Sequence, residues 1–473
     1  MNRNARVIPD RWTRRGEAAR DKDGRTLVMW GAIPGEKAEI KIVHEGKNQD
    51  FGLFEQSPEP SPWRVEPPCD RYNPCGGCPW MHMNAAGQEA SHRQVVREKL
   101  DEVGLSDVSL GSWHPSPDGS IGFRHVVKVG VGKSDMGHLR VGAWGRRDRR
   151  IVPIPQCNVA HPDLAATMRA LAHHVIELRL WPYEPETDRG VLRSAVLRRS
   201  RTSGEILLTL IAGRWVKDLR QLAEEVSAQA PNIAGVWVHF NDDPGNAIFQ
   251  PDEEGLIRCR PLLGKETIEE VIGGIRYGIG PSDFFQTNPS VAEVLYSRVL
   301  DRLDLNENTS FVDLYCGVGG YALQAADRVG FAVGVEESHG AVLRARDAAI
   351  RNDRRAEFIA GQVLEVLPAL QKRLAGRRPV VAVNPARRGL ESGVIEQILE
   401  LRPRQIAYVS CNPAALARDL ATFAGGGFIV EEIELFDMFP NTPHVETLAI
   451  LTSVDVEQSE ARAPRRRVVR GRK

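Results

Sequence analysis

The chain of 473 residues contains no apolar run approaching the length needed to span a bilayer. No apolar stretch follows its charged start either, where Asp10, Arg11, Arg14 and Arg15 come instead. The first absence argues against a membrane-spanning helix and the second removes the mark of a secretory signal, so a cytoplasmic location without membrane association is expected. There is no excess of charge of either sign, 62 basic residues standing against 62 acidic ones, so only local patches can speak for or against a nucleic-acid partner. Cysteine is scarce and odd in number, at seven. In a chain without a signal sequence this argues against a disulfide framework and directs attention to metal binding or catalysis. Nothing indicates an obligate protein partner.

What remains is an ordinary soluble composition, 42% hydrophobic and 26% charged, in a chain long enough for two or three domains. Short alternating runs, Thr26 to Trp30 and Ala38 to Val43, flank the turn-former Pro34-Gly35 and predict a small OB-like β-barrel over residues 1–60. Such a barrel can carry RNA, and a generic β module is an equal reading at this point. Residues 61–275 mix strands such as Val126 to Val131 with helical stretches such as Ala165 to Leu180, an α+β central domain without visible repeats. From 276 to 457 strands and helices alternate, the pattern of an α/β Rossmann-like parallel sheet, with strands at Ser310 to Leu314, Phe331 to Glu336, Val380 to Val383 and Ile406 to Ser410. Phe428 to Phe436 and Val445 to Leu451 read as a terminal hairpin closing one sheet edge. Residues 458–473 form a basic, disordered tail with almost nothing apolar to bury.

Three constellations carry chemistry. Phe311-Val312-Asp313-Leu314-Tyr315-Cys316-Gly317-Val318-Gly319-Gly320 is a strand entering a Gly-rich loop, and Glu336 ends the next strand, where an acid can accept from both hydroxyls of a ribose. The pair suggests an adenosine-containing cofactor; a dinucleotide stays open, and the terminal hairpin favours S-adenosylmethionine. Cys411-Asn412-Pro413 sits where a buried strand ends, at the sheet edge that binds ligands, so Cys411 is a candidate nucleophile rather than a core thiol, whereas Cys259 and Cys316 read as structural. Glu446 follows two prolines that fix its loop and is the candidate general base, the alternative being a solvated strand carboxylate. Finally Cys69, Cys75 and Cys78, in C-x5-C-x2-C spacing, with Cys157 far downstream, suit a metal centre. Spacing alone fits zinc and an iron–sulfur cluster equally.

The segments Asp283-Phe284-Phe285-Gln286-Thr287-Asn288, Asp313 to Gly320, Asn384-Pro385-Ala386-Arg387-Arg388-Gly389, Ser410-Cys411-Asn412-Pro413 and Thr442-Pro443-His444-Val445-Glu446 together resemble the RNA uracil-C5 methyltransferases over nearly the whole chain. The resemblance implies that Cys411 is the nucleophile, that Glu446 is the base, and that Gln286, Tyr315, Glu336, Gln362 and Asn384 line the cofactor and base pocket. It further implies a [4Fe-4S] cluster on Cys69, Cys75, Cys78 and Cys157, an RNA-binding barrel of the TRAM type, and RNA as substrate. Members with the cluster mostly act on ribosomal RNA, so 23S ribosomal RNA is expected ahead of transfer RNA. Uracil C5 is too weak a nucleophile unaided, and a thiolate adding to C6 makes an enolate whose charge reaches C5. Two positions depart from the family pattern, Asn384 where it has Asp, and Gly320. An Asn can pair with uracil or, flipped, with cytosine, so a cytosine-C5 enzyme is an alternative within the class, and a non-catalytic RNA-binding paralogue is one outside it. Phe284 and Phe285 read evenly as stacking platforms or core.

Overall fold

The computed structural model describes residues 3–454 except 23, 147, 149, 246 and 254. The basic tail expected at 458–473 lies outside the described residues.

The catalytic half is organised by strands that are apolar on both faces, as a sheet covered by helices on each side requires. Every residue of Ser310–Leu314 and Val380–Val383 is buried. The sheet runs Ala356–Ala360, Phe331–Glu336, Ser310–Leu314, Val380–Val383, Gln405–Ser410, Glu446–Ser453, Phe428–Phe436 and Ser109–His114. The first five are parallel, and Glu446–Ser453 pairs antiparallel with both of its neighbours. Chain order therefore reverses between Ser310–Leu314 and Val380–Val383, which opens a crevice at their carboxyl ends. One face is covered by the helices Pro289–Arg302, Gly320–Ala325 and His339–Arg351, the other by Val363–Arg373, Val394–Glu400 and Pro413–Gly425. Helix starts follow from local chemistry. Asn288 and Asn412 accept from the backbone N–H groups of Val291 and Ala414, and each is followed by a proline at the first helical position.

The hairpin expected to close the sheet does not form its edge. Ser109–His114, which belongs to the region read as central, adds in parallel to Phe428–Phe436. A carboxylate explains this docking. Glu434 is only 2% exposed at its side chain and is held by His114 Nε2 at 2.6 Å, Arg298 Nη2 at 2.6 Å and Arg302 Nη1 at 2.6 Å. Two of these partners come from the helix Pro289–Arg302 and one from the added strand, so a single buried anion ties three elements together.

The N-terminal strands form one six-stranded sheet in the order Arg3–Val7, Lys37–Glu45, Gln49–Glu59, Arg25–Trp30, Ala18–Lys22 and Arg11–Trp12. Pro34-Gly35 does not close a hairpin, because Arg25–Trp30 pairs with Gln49–Glu59 and Ala18–Lys22. The central region holds a seven-stranded sheet between Val126 and Gly264, packed against the helices Pro162–Glu177 and Asp218–Gln229. The division expected at residue 275 falls inside a hairpin, Ile268–Ile272 with Ile275–Ile279, both strands of which pack into the catalytic core.

Burial alone would raise the Glu434 pKa, but hydrogen bonds from His114 and Arg298 and the Arg298 charge outweigh it and hold the carboxyl at about 2. A depressed folded-state pKa stabilises the protein above the unfolded value and is lost as pH falls toward 2. Glu434→Gln is expected to cost about 3 kcal/mol at pH 7 and much less near pH 2, read as urea-unfolding midpoints at the two pH values.

Candidate active site

A cavity of about 1780 Å³ opens at the carboxyl ends of the catalytic strands and reaches the N-terminal and central regions. Its wall contains Gln286, Tyr315, Glu336, Asn384, Cys411 and Glu446, and also Cys69, Cys75, Cys78 and Cys157. The expected site residues thus meet in one space, with one exception. Gln362 is exposed at the start of the helix Val363–Arg373 and lies outside the cavity wall, although Gly361 beside it donates to the Glu336 carbonyl at 2.9 Å.

The Gly-rich loop is built around two carboxylates. Asp313, fully buried, accepts from the N–H groups of Tyr321 at 3.1 Å and Ala322 at 2.9 Å, capping the helix that follows the loop. Burial lifts its pKa to about 7 against these two donors. Glu336 accepts from Ser338 N–H at 2.9 Å and Gly317 N–H at 3.1 Å, so its carboxyl is fixed at the rim of the loop. Burial raises its pKa, partly offset by the same backbone donors. Tyr315 takes φ of 61°, rare for a residue with a side chain, and its buried hydroxyl has no hydrogen-bond partner among the described residues. A half-buried acid, an unpartnered phenol and a loop with Gly317 and Gly319 at φ of 54° and 90° fit the ribose and adenine of an adenosine cofactor.

Cys411 ends the strand Gln405–Ser410 and Glu446 begins its antiparallel neighbour, so the pairing of the two strands brings thiol and carboxyl to one edge. Both are perturbed in the direction of their neutral forms. Burial raises the Cys411 thiol to about 11, with the Glu446 charge adding to the rise and Arg387 opposing it. Burial raises Glu446, 3% exposed, to about 8, again opposed by Arg387. Sequence reasoning passed over Arg387, although it stands inside one of the segments that carried the resemblance. Its charge also depresses the His444 imidazole, which burial brings to about 4 together with Arg124 and Arg14.

The cavity wall is cationic. Arg14, Arg124, Lys128 and Arg387 face it, and none makes an ion pair among the described residues. Burial lowers the Lys128 pKa, and repulsion from Arg198, Arg124 and Arg387 lowers it further. Uncompensated like charges around one opening are suited to a polyanion. The two phenylalanines divide between their two readings: Phe285 is buried in the core, while Phe284 is 72% exposed on the cavity wall.

The four cysteines carry free thiols on the same wall. No three of their sulfurs lie within 4.8 Å of one another, since the only such convergence of ligand atoms among the described residues is His173, His174 and Glu177. A single tetrahedral zinc ion, with bonds of about 2.3 Å, draws its thiolates to within about 4 Å. The thiols nonetheless repel one another electrically: burial raises Cys78 to about 12, with Cys157, Cys75 and Cys69 adding to the rise. Gly77 N–H points at Cys75 Sγ at 3.4 Å, the kind of donor that stabilises a ligating thiolate.

A parallel sheet with a cofactor-type loop, an acid at the next strand end and an antiparallel terminal hairpin defines a class I S-adenosylmethionine-dependent methyltransferase. Residues 374–454 match the family model described as tRNA (uracil-5-)-methyltransferase. The chain is 34% identical to an uncharacterized RNA methyltransferase of Gloeobacter violaceus over 92% of this chain and 93% of that one. It is 31% identical to another from Halalkalibacterium halodurans, over 93% and 94%. Among solved structures, the Pyrococcus abyssi tRNA (uracil-54, C5)-methyltransferase bound to S-adenosyl-L-homocysteine superposes with a TM-score of 0.73 at 24% identity, covering 95% of this chain and all of that one. The chain belongs to the RNA uracil-C5 methyltransferase family. It is an enzyme of RNA modification that uses S-adenosylmethionine. No helix among the described residues is long and apolar enough to cross a membrane.

Because the Glu446 charge raises the Cys411 pKa, Glu446→Gln is expected to speed alkylation of Cys411 by iodoacetamide severalfold at pH 8.5 to 9, in the range where Glu446 is ionised in the wild type. Mass spectrometry of the Cys411 peptide over time measures it, and an unchanged rate would show that the two groups are not coupled.

Proposed function

We propose that this chain methylates C5 of a specific uridine in 23S ribosomal RNA, with Cys411 as the nucleophile and Glu446 as the base. Bound S-adenosylmethionine supplies the electrophilic methyl group. The Cys411 thiolate adds to C6 of the uracil, placing negative charge on O4 and C5, and C5 would form its bond to the methyl carbon as the sulfur–methyl bond breaks and the sulfur leaves as a neutral thioether. Glu446 then takes the C5 proton, the electron pair returns to C5–C6, and the Cys411 sulfur departs. The observation that carries this reading is the thiol and the buried carboxyl on one cavity wall, with one guanidinium acting on both. A carboxyl near 8 is matched to accepting a proton close to neutral pH. Gln286, Tyr315, Glu336 and Asn384 hold the cofactor and base, and Gln362 joins them from its exposed position. Arg387 assists by favouring both ionised forms.

A uridine within a helix is out of reach of such a cavity, so the substrate is a loop or a flipped nucleotide. Phe284 offers an exposed ring to stack against it, and the cations of the wall, the TRAM-type N-terminal sheet and the basic tail hold the phosphates. Cys69, Cys75, Cys78 and Cys157 bind a [4Fe-4S] cluster, a reading supported by their meeting on one cavity wall. The enzyme works in the cytoplasm. Transfer RNA is the second reading, favoured because both the matching family model and the Pyrococcus abyssi enzyme are described by tRNA.

Protein purified without oxygen, given radiolabelled S-adenosylmethionine with unmodified ribosomal or transfer RNA, is expected to place label in 5-methyluridine of ribosomal RNA. Cys411→Ala should lose at least a thousandfold in rate, and Glu446→Gln should accumulate a covalent protein–RNA adduct. Label in transfer RNA alone would reassign the substrate, and label in 5-methylcytidine would overturn the base.

Iron and acid-labile sulfide in equal amounts, about four of each per chain, are expected in the same protein and should be lost in Cys78→Ser. Zinc without iron would sink the cluster assignment.

A further inference from the structure

Arg387 is exposed on the cavity wall and makes no ion pair among the described residues. Its place beside Cys411 therefore depends on the backbone that carries it. That backbone is a tight turn, in which Gly389 N–H donates to the Ala386 carbonyl at 2.9 Å. The strand that ends at Cys411 and the helix that follows it supply the side chains that hold this turn.

Four side chains make the contact. Asn412, the residue after the thiol, donates from Nδ2 to the Arg387 carbonyl at 2.6 Å, while its Oδ1 caps the helix by accepting from Ala414 N–H at 3.2 Å. Arg418 donates from Nη2 to the Arg388 carbonyl at 3.0 Å. Asp419, only 2% exposed, accepts through Oδ2 from Leu390 N–H at 2.9 Å and from the Tyr408 hydroxyl at 2.5 Å, and through Oδ1 from Arg418 Nε at 2.8 Å. Gly389 passes so close, at φ of 79°, that a Cβ there would lie 2.6 Å from both Asp419 Oδ2 and Arg418 Nη2. A carboxylate taken out of water is retained only with several donors, and each donor to Asp419 belongs either to the turn or to an element adjoining Cys411. The carbonyls of Arg387 and Arg388 and the N–H of Leu390 are thus tied to the same short stretch of chain that presents the thiol.

We propose that Asn412 and Asp419 are positioning residues for the reaction: they lock the turn from Ala386 to Leu390 onto the Cys411 junction, so that the Arg387 guanidinium stays beside the thiol and favours its attacking form. Tyr408 and Arg418 complete the lock by fixing the Asp419 carboxylate. This role rests on the reading of Cys411 as the nucleophile. Besides Arg387, the charge that acts on the thiol is Glu446, which the lock does not touch.

The test is the rate of Cys411 alkylation by iodoacetamide between pH 7 and 10 in RNA-free protein, read by mass spectrometry of the Cys411 peptide, with S-adenosylhomocysteine affinity and thermal unfolding as checks of the fold. Arg387→Ala is expected to slow alkylation about tenfold at pH 8 and to move its pH dependence upward. Asp419→Asn should slow it about three- to tenfold in the same direction, and so should Asn412→Ser, which keeps an oxygen to cap the helix. Neither should slow it further in the Arg387→Ala background. An unchanged pH dependence in both single variants would overturn the proposal, as would equal slowing with and without Arg387, the mark of a purely structural role. Methyl transfer by Cys411→Ala at the wild-type rate would instead overturn the nucleophile reading and the catalytic role with it, so the two failures are read from separate measurements.

Discussion

The backbone of Asn441 anchors the loop that leads into the strand Glu446–Ser453. It sits at φ of 66° in the loop that delivers Glu446, and every polar group around it is engaged by a distant part of the chain. Its N–H donates to Gln88 Oε1 at 2.8 Å, its carbonyl accepts from Trp80 N–H at 3.0 Å, and its side-chain amide donates to the Ser120 carbonyl at 2.8 Å. A left-handed residue with a side chain costs about 1 kcal/mol or more and persists only when its surroundings determine it. Here the determinants come from the segments around the cysteines. The next turn of the same loop is held by the N-terminal sheet, where Gly16 leaves no room for a side chain between Pro443 and the Trp80 indole, and Trp80 Nε1 donates to the Gly16 carbonyl at 2.9 Å. The three regions are therefore joined at the loop that sets where Glu446 enters its strand.

That mechanical arrangement has an electrostatic counterpart. Cys411 and Glu446 are buried together, each tends to its neutral form, and ionisation of one opposes ionisation of the other. A single nearby guanidinium, Arg387, favours both anions without neutralising either completely.

Much of the catalytic half was legible in the residues, and for a definite reason. Phe331–Glu336 and Val380–Val383 are found with the bounds read from their apolar runs, because strands buried on both faces announce themselves without alternation. Ala356–Ala360 was passed over, being a short edge strand with a charged residue, Glu357, in it. The addition of Ser109–His114 was also hidden, since its pairing depends on Glu434 more than 300 residues away, and no local pattern encodes such a partner. Cys411 and Glu446 could be named from their positions at strand ends, whereas Gln362 could be named only by resemblance, and it stands outside the cavity wall.

The two departures from the family pattern are not equivalent. At Gly320 a Cβ would lie 2.9 Å from the Tyr296 hydroxyl, so glycine is the residue this neighbourhood accepts, and the change is absorbed by packing. Nothing in the fold absorbs Asn384 in that way. It follows the strand Val380–Val383, its N–H reaches the Leu314 carbonyl at 3.4 Å, and its side-chain amide makes no hydrogen bond among the described residues. An Asp there would be a further acid in the cavity that already confines Cys411, Glu446 and Glu336. The amide keeps hydrogen-bonding capacity on the cavity wall without adding a charge there.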